Sequence, residues 1–242
     1  PLKPPNFCML LRKYLRNGRI QDIQQQEFER TISLKISMRD GVSRLITELF
    51  GEGNIILVDH QGVIISALSY KKMRDRNILR NETFKHAPPS GKNPNNISPQ
   101  EMQELKNQGN LEIVRALVKL LSIGGVYAEE LLLRAGVDKN TPCQALTEPQ
   151  LSSIYTQLRT LLSYLTERKL DPAIIQDEKG EWVGVTPIAL KKHEGMRKKP
   201  YKTFNEALDD YYTQTTTFER IAETRKEHEH ELNKLQRILQ DQ

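Results

Sequence analysis

The sequence predicts an α+β fold, with a helix and an antiparallel sheet first and helices afterwards. Three observations carry that prediction. Residues Arg30 to Met38 alternate Ile32, Leu34, Ile36 and Met38 against polar positions, the period-two signature of a half-buried strand. From Glu101 to about Arg168 apolar residues recur with helical spacing instead. The last stretch, Phe218 to Gln242, is rich in Glu, Lys, Arg and Gln with sparse apolar positions at Ile221, Leu232, Leu235 and Leu239. It reads as the start of a coiled coil.

In chain order, Pro4 and Pro5 precede Asn6, a good helix N-cap. Phe7 to Arg16 follows with Phe7, Leu10, Leu11, Tyr14 and Leu15 on one side, and Gly18 stands where a C-terminal cap belongs. Arg12, Lys13 and Arg16 fall on the opposite face, since residues three and four apart stack along a helix. After the Arg30–Met38 strand, Asn54 to Asp59 and Val63 to Leu68 read as strands joined by a His60-Gln61-Gly62 turn. From Lys71 to about Asn96 periodicity gives way to basic residues, prolines and asparagines, in a region that looks mobile. Ser98-Pro99-Gln100-Glu101 then opens a helix, with Ser98 as N-cap, Pro99 at the first turn and Glu101 closing a capping box. Breaks fall near Gly124-Gly125, Gly136 and Pro142. A hairpin is expected from Ala173–Gln176 and Trp182–Val185, then a short amphipathic helix over Phe204–Tyr212. The division this implies is residues 1–96, 97–172, 173–214 and 215–242.

Composition narrows the function classes. The chain has 242 residues, a net charge of +5 and 28% charged residues, a balance that suits an anionic partner as well as an ordinary solvated surface. Two cysteines, Cys8 and Cys143, have no metal-ligand spacing and point to a reducing compartment. No apolar run of membrane-spanning length occurs, and no secretion signal is recognisable. The sequence opens at Pro1 without a methionine, so a fragment of a longer, intracellular protein is expected.

Two features carry the chemistry of phosphate recognition. Ser122-Ile123-Gly124-Gly125-Val126-Tyr127 places Gly124 and Gly125 between two helices, where glycine lets backbone N–H groups and a helix N-terminus approach a phosphate. The other reading is a tight connection. The second feature is the basic face of the first helix, Arg12, Lys13 and Arg16, with Arg19 and Arg30 following; arginine forks grip phosphate oxygens without reading sequence. Lys71, Lys72, Arg74, Arg76 and Arg80 form a further basic cluster. No enzyme is predicted. His60, His86, His193, His228 and His230 lack a metal-ligand or nucleophile–base context, and neither a dinucleotide fingerprint nor a P-loop occurs. The adjacent acids Glu129-Glu130 and Asp209-Asp210 read as solvated helix faces.

The run from Pro5 through Arg12-Lys13-Tyr14-Leu15, on through Gln24 to Glu29-Arg30, resembles the signature of the NFACT family. Further family-like stretches follow in order: Leu45 to Gly51 leading into Gly53–Asp59, the Gly125–Gly136 segment, Thr203–Tyr212 and Leu235–Gln242. The resemblance implies a first part like that of formamidopyrimidine-type DNA glycosylases, a helix-hairpin-helix or helix-two-turns-helix part, and a coiled-coil entry. It also implies a cytoplasmic ribosome quality-control role. Family members bind tRNA and the large ribosomal subunit carrying a stranded peptidyl-tRNA, and they support template-free C-terminal tailing. No cofactor, membrane or small-molecule substrate is implied. Carried over residue by residue, the family's Asp-Arg pair falls on Glu29-Arg30, so the acid here is one methylene longer.

Two other functions compete. An active DNA glycosylase would use an N-terminal proline followed by acids, whereas Pro1-Leu2-Lys3-Pro4-Pro5 has none. A fibronectin-binding surface adhesin would need an export route.

Overall fold

The computed structural model describes residues 3–39 and 41–217. The described residues fall into two compact units, one within residues 3–128 with 142–145, the other within residues 129–141 with 146–217.

The first unit holds a five-stranded antiparallel sheet in chain order: β1 (Arg19–Gln25), β2 (Thr31–Met38), β3 (Gly41–Glu48), β4 (Asn54–Val58) and β5 (Ile64–Ala67). Each later strand pairs antiparallel with the one before it, and the register shifts between Ile20 and Asp22 on β1 and between Leu57 and Val58 on β4. One turn is the expected one around His60-Gln61-Gly62. There the Asp59 carboxylate accepts the N–H groups of Gln61 and Val63 at 2.9 and 2.8 Å, and Gly62 takes φ 85°. Ile46, Ile56, Val58, Ile64, Ala67 and Ile78 form a buried cluster, with Phe84 packed on it.

Helix α1 (Asn6–Leu15) starts one residue earlier than its sequence implies. Pro5 occupies the cap position and no side chain caps the helix, so Asn6 does not serve as the N-cap. Its end is corrected too. Asn17, not Gly18, takes the left-handed conformation at φ 65°. Gly18 is favoured for a different reason, because a Cβ there would crowd Met38 Sδ and lie 2.6 Å from Ile36 Cγ2, so both side chains would have to shift.

The Lys71–Asn96 stretch, expected to lack structure, is instead woven against the sheet. It carries two short paired strands, β6 (Lys71–Lys72) and β7 (Asn77–Ile78). The Ile64 and Phe84 amides donate to the carbonyls of Glu82 and Gly62, both at 2.8 Å, and Ile78 is fully buried. Arg76, read from sequence as part of a basic cluster, is buried: its guanidinium donates to both Glu48 oxygens at 2.5 and 3.0 Å and to the Lys85 carbonyl at 3.0 Å. Lys71 pairs with Glu52 at 2.6 Å.

The expected restart at Ser98 is present as α2 (Pro99–Met102). Its capping box is complete in both directions, and the Ser98 amide, then Lys92, hold the Glu101 carboxyl down at about 2. A 3-10 turn (Gln103–Gln108) and α3 (Ile113–Leu120) follow, and α3 buries Ile113, Ala116 and Leu117. Helix α4 (Gly125–Ala135) begins in the first unit and ends in the second.

In the second unit, α5 (Glu148–Thr166) is capped by Thr147 in a second reciprocal box with Gln150. The predicted hairpin, β8 (Ala173–Gln176) and β9 (Trp182–Thr186), gains a third strand, β10 (Arg197–Pro200), giving the order β10-β8-β9. Residues 204–217 form the last described helix, longer than its sequence pattern indicates. The expected coiled-coil entry at 218–242 lies outside the described residues. One correction concerns chemistry. Glu130, read as part of a solvated acidic pair, is fully buried, where it accepts Arg134 Nε at 2.5 Å and the amides of Lys191 and Lys192 at 2.7 and 3.1 Å. Among the described residues no helix is long and apolar enough to cross a membrane.

Candidate nucleic-acid interface

Glu29 and Arg30 sit in the tight turn between β1 and β2, which closes through the Glu29 amide donating to the Gln26 carbonyl at 2.8 Å. Arg30 is exposed, and its backbone carbonyl accepts the Leu49 amide at 2.8 Å, so the turn is pinned to the end of β3. The Arg30 guanidinium has no hydrogen-bond or ion-pair partner among the described residues, although a carboxylate is its chain neighbour.

That carboxylate points elsewhere. Glu29 Oε1 accepts the Ser90 amide at 3.0 Å, the Ser90 hydroxyl at 3.1 Å and the Ser122 hydroxyl at 2.9 Å, while Oε2 accepts the Ser90 hydroxyl at 3.2 Å. The Ser122 hydroxyl also lies 3.1 Å from the Gly91 carbonyl. Backbone bonds brace this junction, Lys92 N–H to Leu120 O at 2.7 Å and Ser122 N–H to Lys92 O at 3.0 Å. A single carboxylate therefore joins three segments distant in sequence: the β1–β2 turn, the Ser90 loop and the lead-in to α4.

Gly91 permits that crossing. A Cβ on it would meet the Leu121 carbonyl carbon at 2.7 Å and the Leu120 carbonyl oxygen at 2.9 Å, backbone atoms that cannot swing aside. Gly91→Ala is therefore expected to cost about 1–3 kcal/mol, read as a shift in the denaturant midpoint at constant m-value. An unchanged midpoint would show that the crossing is looser than it looks.

Two and three residues beyond Ser122 lie Gly124 and Gly125, the second of which starts α4. A Cβ on either would meet nothing within 4 Å, and neither has positive φ, so the fold itself does not require glycine at these positions. The amides of Gly124, Gly125 and Val126 donate to no group among the described residues, as expected at a helix start. Unpartnered donors next to side-chain-free backbone leave room for the close approach of an anion.

The remaining predicted residues form a separate locus. Arg12 and Lys13 are exposed on α1, Arg16 is exposed just past its end, and Arg19 is exposed at the start of β1. The Glu29–Arg30 turn follows the other end of β1, about 20 Å away along a strand of this length. The structure thus brings Glu29, Arg30, Gly124 and Gly125 to one junction and leaves Arg16 and Arg19 at the far end of the hairpin. Sequence reasoning missed Ser90, whose position in a proline- and lysine-rich stretch carries no periodic signal. Ser122 was part of the glycine motif, but only the fold shows it hydrogen-bonded to Glu29.

The chain is thus of the mixed α+β class, an antiparallel sheet followed by helices, with one sheet turn anchored through Glu29 to the lead-in of α4. The chain belongs to the family of NFACT N-terminal and middle domains, whose model matches residues 1–242. It is similar to the archaeal Rqc2 homolog aRqcH of Methanocaldococcus jannaschii, 34% identical over 248 residues, covering 100% of this chain and 36% of that protein. It is also similar to the Rqc2 homolog RqcH of Bacillus subtilis, at 28% identity over 99% of this chain and 44% of that one. The human ribosome quality control complex subunit NEMF is 21% identical, over 97% of this chain and 25% of its own length. The chain therefore spans less than half the length of these curated relatives. Among solved structures, the fibrinogen binding protein from Staphylococcus aureus shares the fold at TM-score 0.68 and 23% identity, covering 87% of this chain and 76% of that one.

Proposed function

We propose that this chain is the RNA-facing part of a cytoplasmic ribosome quality-control factor. It binds tRNA and the large ribosomal subunit carrying a stranded peptidyl-tRNA, and supports template-free C-terminal tailing of the nascent chain. It catalyses no step itself, the peptide bond being the ribosome's work. The names of its relatives support the quality-control role. The glycosylase-like character of the sheet and of the helices after it remains part of this proposal.

One observation carries the site assignment: Glu29 anchors the Arg30 turn to the lead-in of α4 while leaving Arg30 itself unpaired among the described residues. In this reading Glu29 is a positioning residue and Arg30 the phosphate-gripping one. The amides at Gly124 and Gly125 add backbone donors, and Arg12, Lys13 and Arg16 engage phosphates further along the RNA. A guanidinium–phosphate contact contributes through charge-assisted hydrogen bonds and counterion release.

Arg30→Ala is expected to weaken tRNA binding about tenfold and to flatten the salt dependence by about 0.7–0.9 in log–log slope, the signature of one lost phosphate contact. Filter binding between 50 and 200 mM salt measures both. In the full-length protein the companion experiment is co-sedimentation with purified large subunits, followed by sequencing of the tRNA that travels with them. Absence from large subunits at low salt would sink the quality-control reading, and an unaltered slope for Arg30→Ala would sink the assignment of that residue.

A further inference from the structure

A second feature of the first unit is unexplained by either the fold or the Glu29–Arg30 junction. On one face of the β1–β2–β3 sheet lies an open groove of about 580 Å³, lined by Asp22, Gln24, Gln25, Gln26, Ser33, Lys35, Val42, Arg44, His60 and His86. Strand register places its floor. Lys35 sits directly opposite Arg44, with Asp22 on the other side of Lys35, and Gln24 lies opposite Ser33 one row along.

Two cations facing each other across adjacent strands destabilise a sheet unless something between them relieves the repulsion. Asp22, across from Lys35 on its other side, offsets part of that repulsion but makes no ion pair with it. Among the described residues neither Lys35 nor Arg44 has a carboxylate within ion-pair distance or a side-chain hydrogen bond. The same face is apolar and closed a little further along, where Ile46 and Ile56 are buried under Ile78 and Phe84. The sheet can therefore bury this face and does so from Ile46 across β4 and β5, yet it leaves the face open where Lys35 and Arg44 stand, with Asp22 as the single acid beside them. The positive field is felt by the groove's own wall: burial first, then the charges of Arg44 and Arg76, hold His86 below the ordinary imidazole range.

We propose that this groove is a phosphate-binding subsite for a nucleotide of RNA, with Lys35 and Arg44 as its cationic floor and Gln24 and Ser33 as neighbouring hydrogen-bonding groups. The choice of RNA rests on the function proposed above. Two observations favour it over a free mononucleotide. The groove is partly open to solvent and most of its lining side chains are polar, with Val42 its one aliphatic side chain, whereas small-molecule sites enclose their ligand in apolar walls. It is also continuous with the junction, because Gln25, in its lining, donates from Nε2 to the Glu29 carbonyl at 3.0 Å. A strand held at Arg30 thus has a second grip along the same hairpin.

The test pairs Lys35→Gln/Arg44→Gln with the parent chain in tRNA filter binding across 50–200 mM salt, with thermal melts alongside. The expected result is a loss of affinity of tenfold or more at the low-salt end and a log–log slope shallower by about 1.5, as for two lost phosphate contacts. The melting temperature should hold, since relief of the Lys35–Arg44 repulsion offsets the lost attraction between Lys35 and Asp22. Arg44→Lys, which keeps the charge, should recover most of the slope. A slope equal to the parent's would overturn the proposal, as would a fallen melting temperature that accounts for the whole loss. If the parent chain binds no RNA, the functional reading fails separately, and titration of AMP followed by amide chemical shifts decides the groove. Saturable shifts at Lys35 and Arg44 would keep the phosphate subsite but overturn RNA as its source. Their absence would overturn the subsite.

Discussion

Glu48→Gln is expected to destabilise the first unit by about 3–5 kcal/mol. Glu48 and Arg76 form a bidentate pair whose side chains are only 6% and 4% exposed, with Arg76 also donating to the Lys85 carbonyl. Removing the negative charge leaves a buried guanidinium with neutral acceptors only, the Lys85 carbonyl and the new amide oxygen, and turns an NH2 group toward its other arm. An uncompensated buried cation costs far more than an exposed ion pair contributes. The loss should appear in urea unfolding as a lower midpoint with an unchanged m-value. It should also release the Lys71–Asn96 stretch, since Arg76 is the side chain that ties this segment to β3. Replacing both residues, as Glu48→Leu with Arg76→Met, should recover much of the stability, because a well-packed apolar pair avoids the desolvation of two charges. A single-variant loss below about 1 kcal/mol, the range of exposed pairs, would show that water reaches the pair.

The second large effect belongs to Glu130. Its carboxylate is fully buried and receives the Arg134 guanidinium and the Lys191 and Lys192 amides, while Arg134 reaches on to the Ala189 carbonyl at 2.7 Å. Glu130→Gln puts an NH2 group where only donors converge, which should cost about 3 kcal/mol. Hydrogen exchange provides the local readout, with the Lys191 and Lys192 amides losing protection before the rest of β8–β10. Burial would raise the Glu130 carboxyl, but the Lys191 amide and then Arg134 outweigh it and hold the group below the ordinary carboxylate range. A depressed folded value means that this stabilisation is complete above the ordinary range and is lost as pH falls through the folded value. The gap between parent and Glu130→Gln should therefore be widest near neutral pH and narrow on acidification. A gap that does not change with pH would place the loss in packing rather than in charge.

These two buried carboxylates also show where sequence reasoning stops. Glu130 stands beside Glu129, and the two look equivalent on a helix; yet Glu129 pairs at the surface with Lys139 at 3.0 Å, whereas Glu130 is fully enclosed. Which of two neighbouring acids is enclosed depends on where residues 189–192 return, information that lies sixty residues away. Arg76 was likewise one of five similar cations in a stretch without periodicity. Its burial follows from a carboxylate on β3, and nothing local distinguishes it from Arg74 or Arg80.

Strand β1 was illegible for a related reason. All seven of its residues are exposed, so it has no buried alternation to detect, and its extended form comes from pairing with β2. Strand β10 has the same origin, as Arg197-Lys198-Lys199-Pro200 pairs against β8 without contributing to the core.

The sequence by itself determined the elements whose signals are local. The Ser98 capping box, the alternation of β2, the Asp59–Gly62 turn and the β8–β9 hairpin each follow from neighbours within a few residues, where backbone sterics and short hydrogen bonds act. It also determined the family, because ordered motifs along the chain survive without knowledge of their contacts. Only the tertiary structure decided which polar groups meet: Glu29 with Ser90 and Ser122, Glu48 with Arg76, Lys35 opposite Arg44. Charges and hydroxyls carry no periodicity of their own, and their energies are set by partners and burial that the folded chain alone supplies.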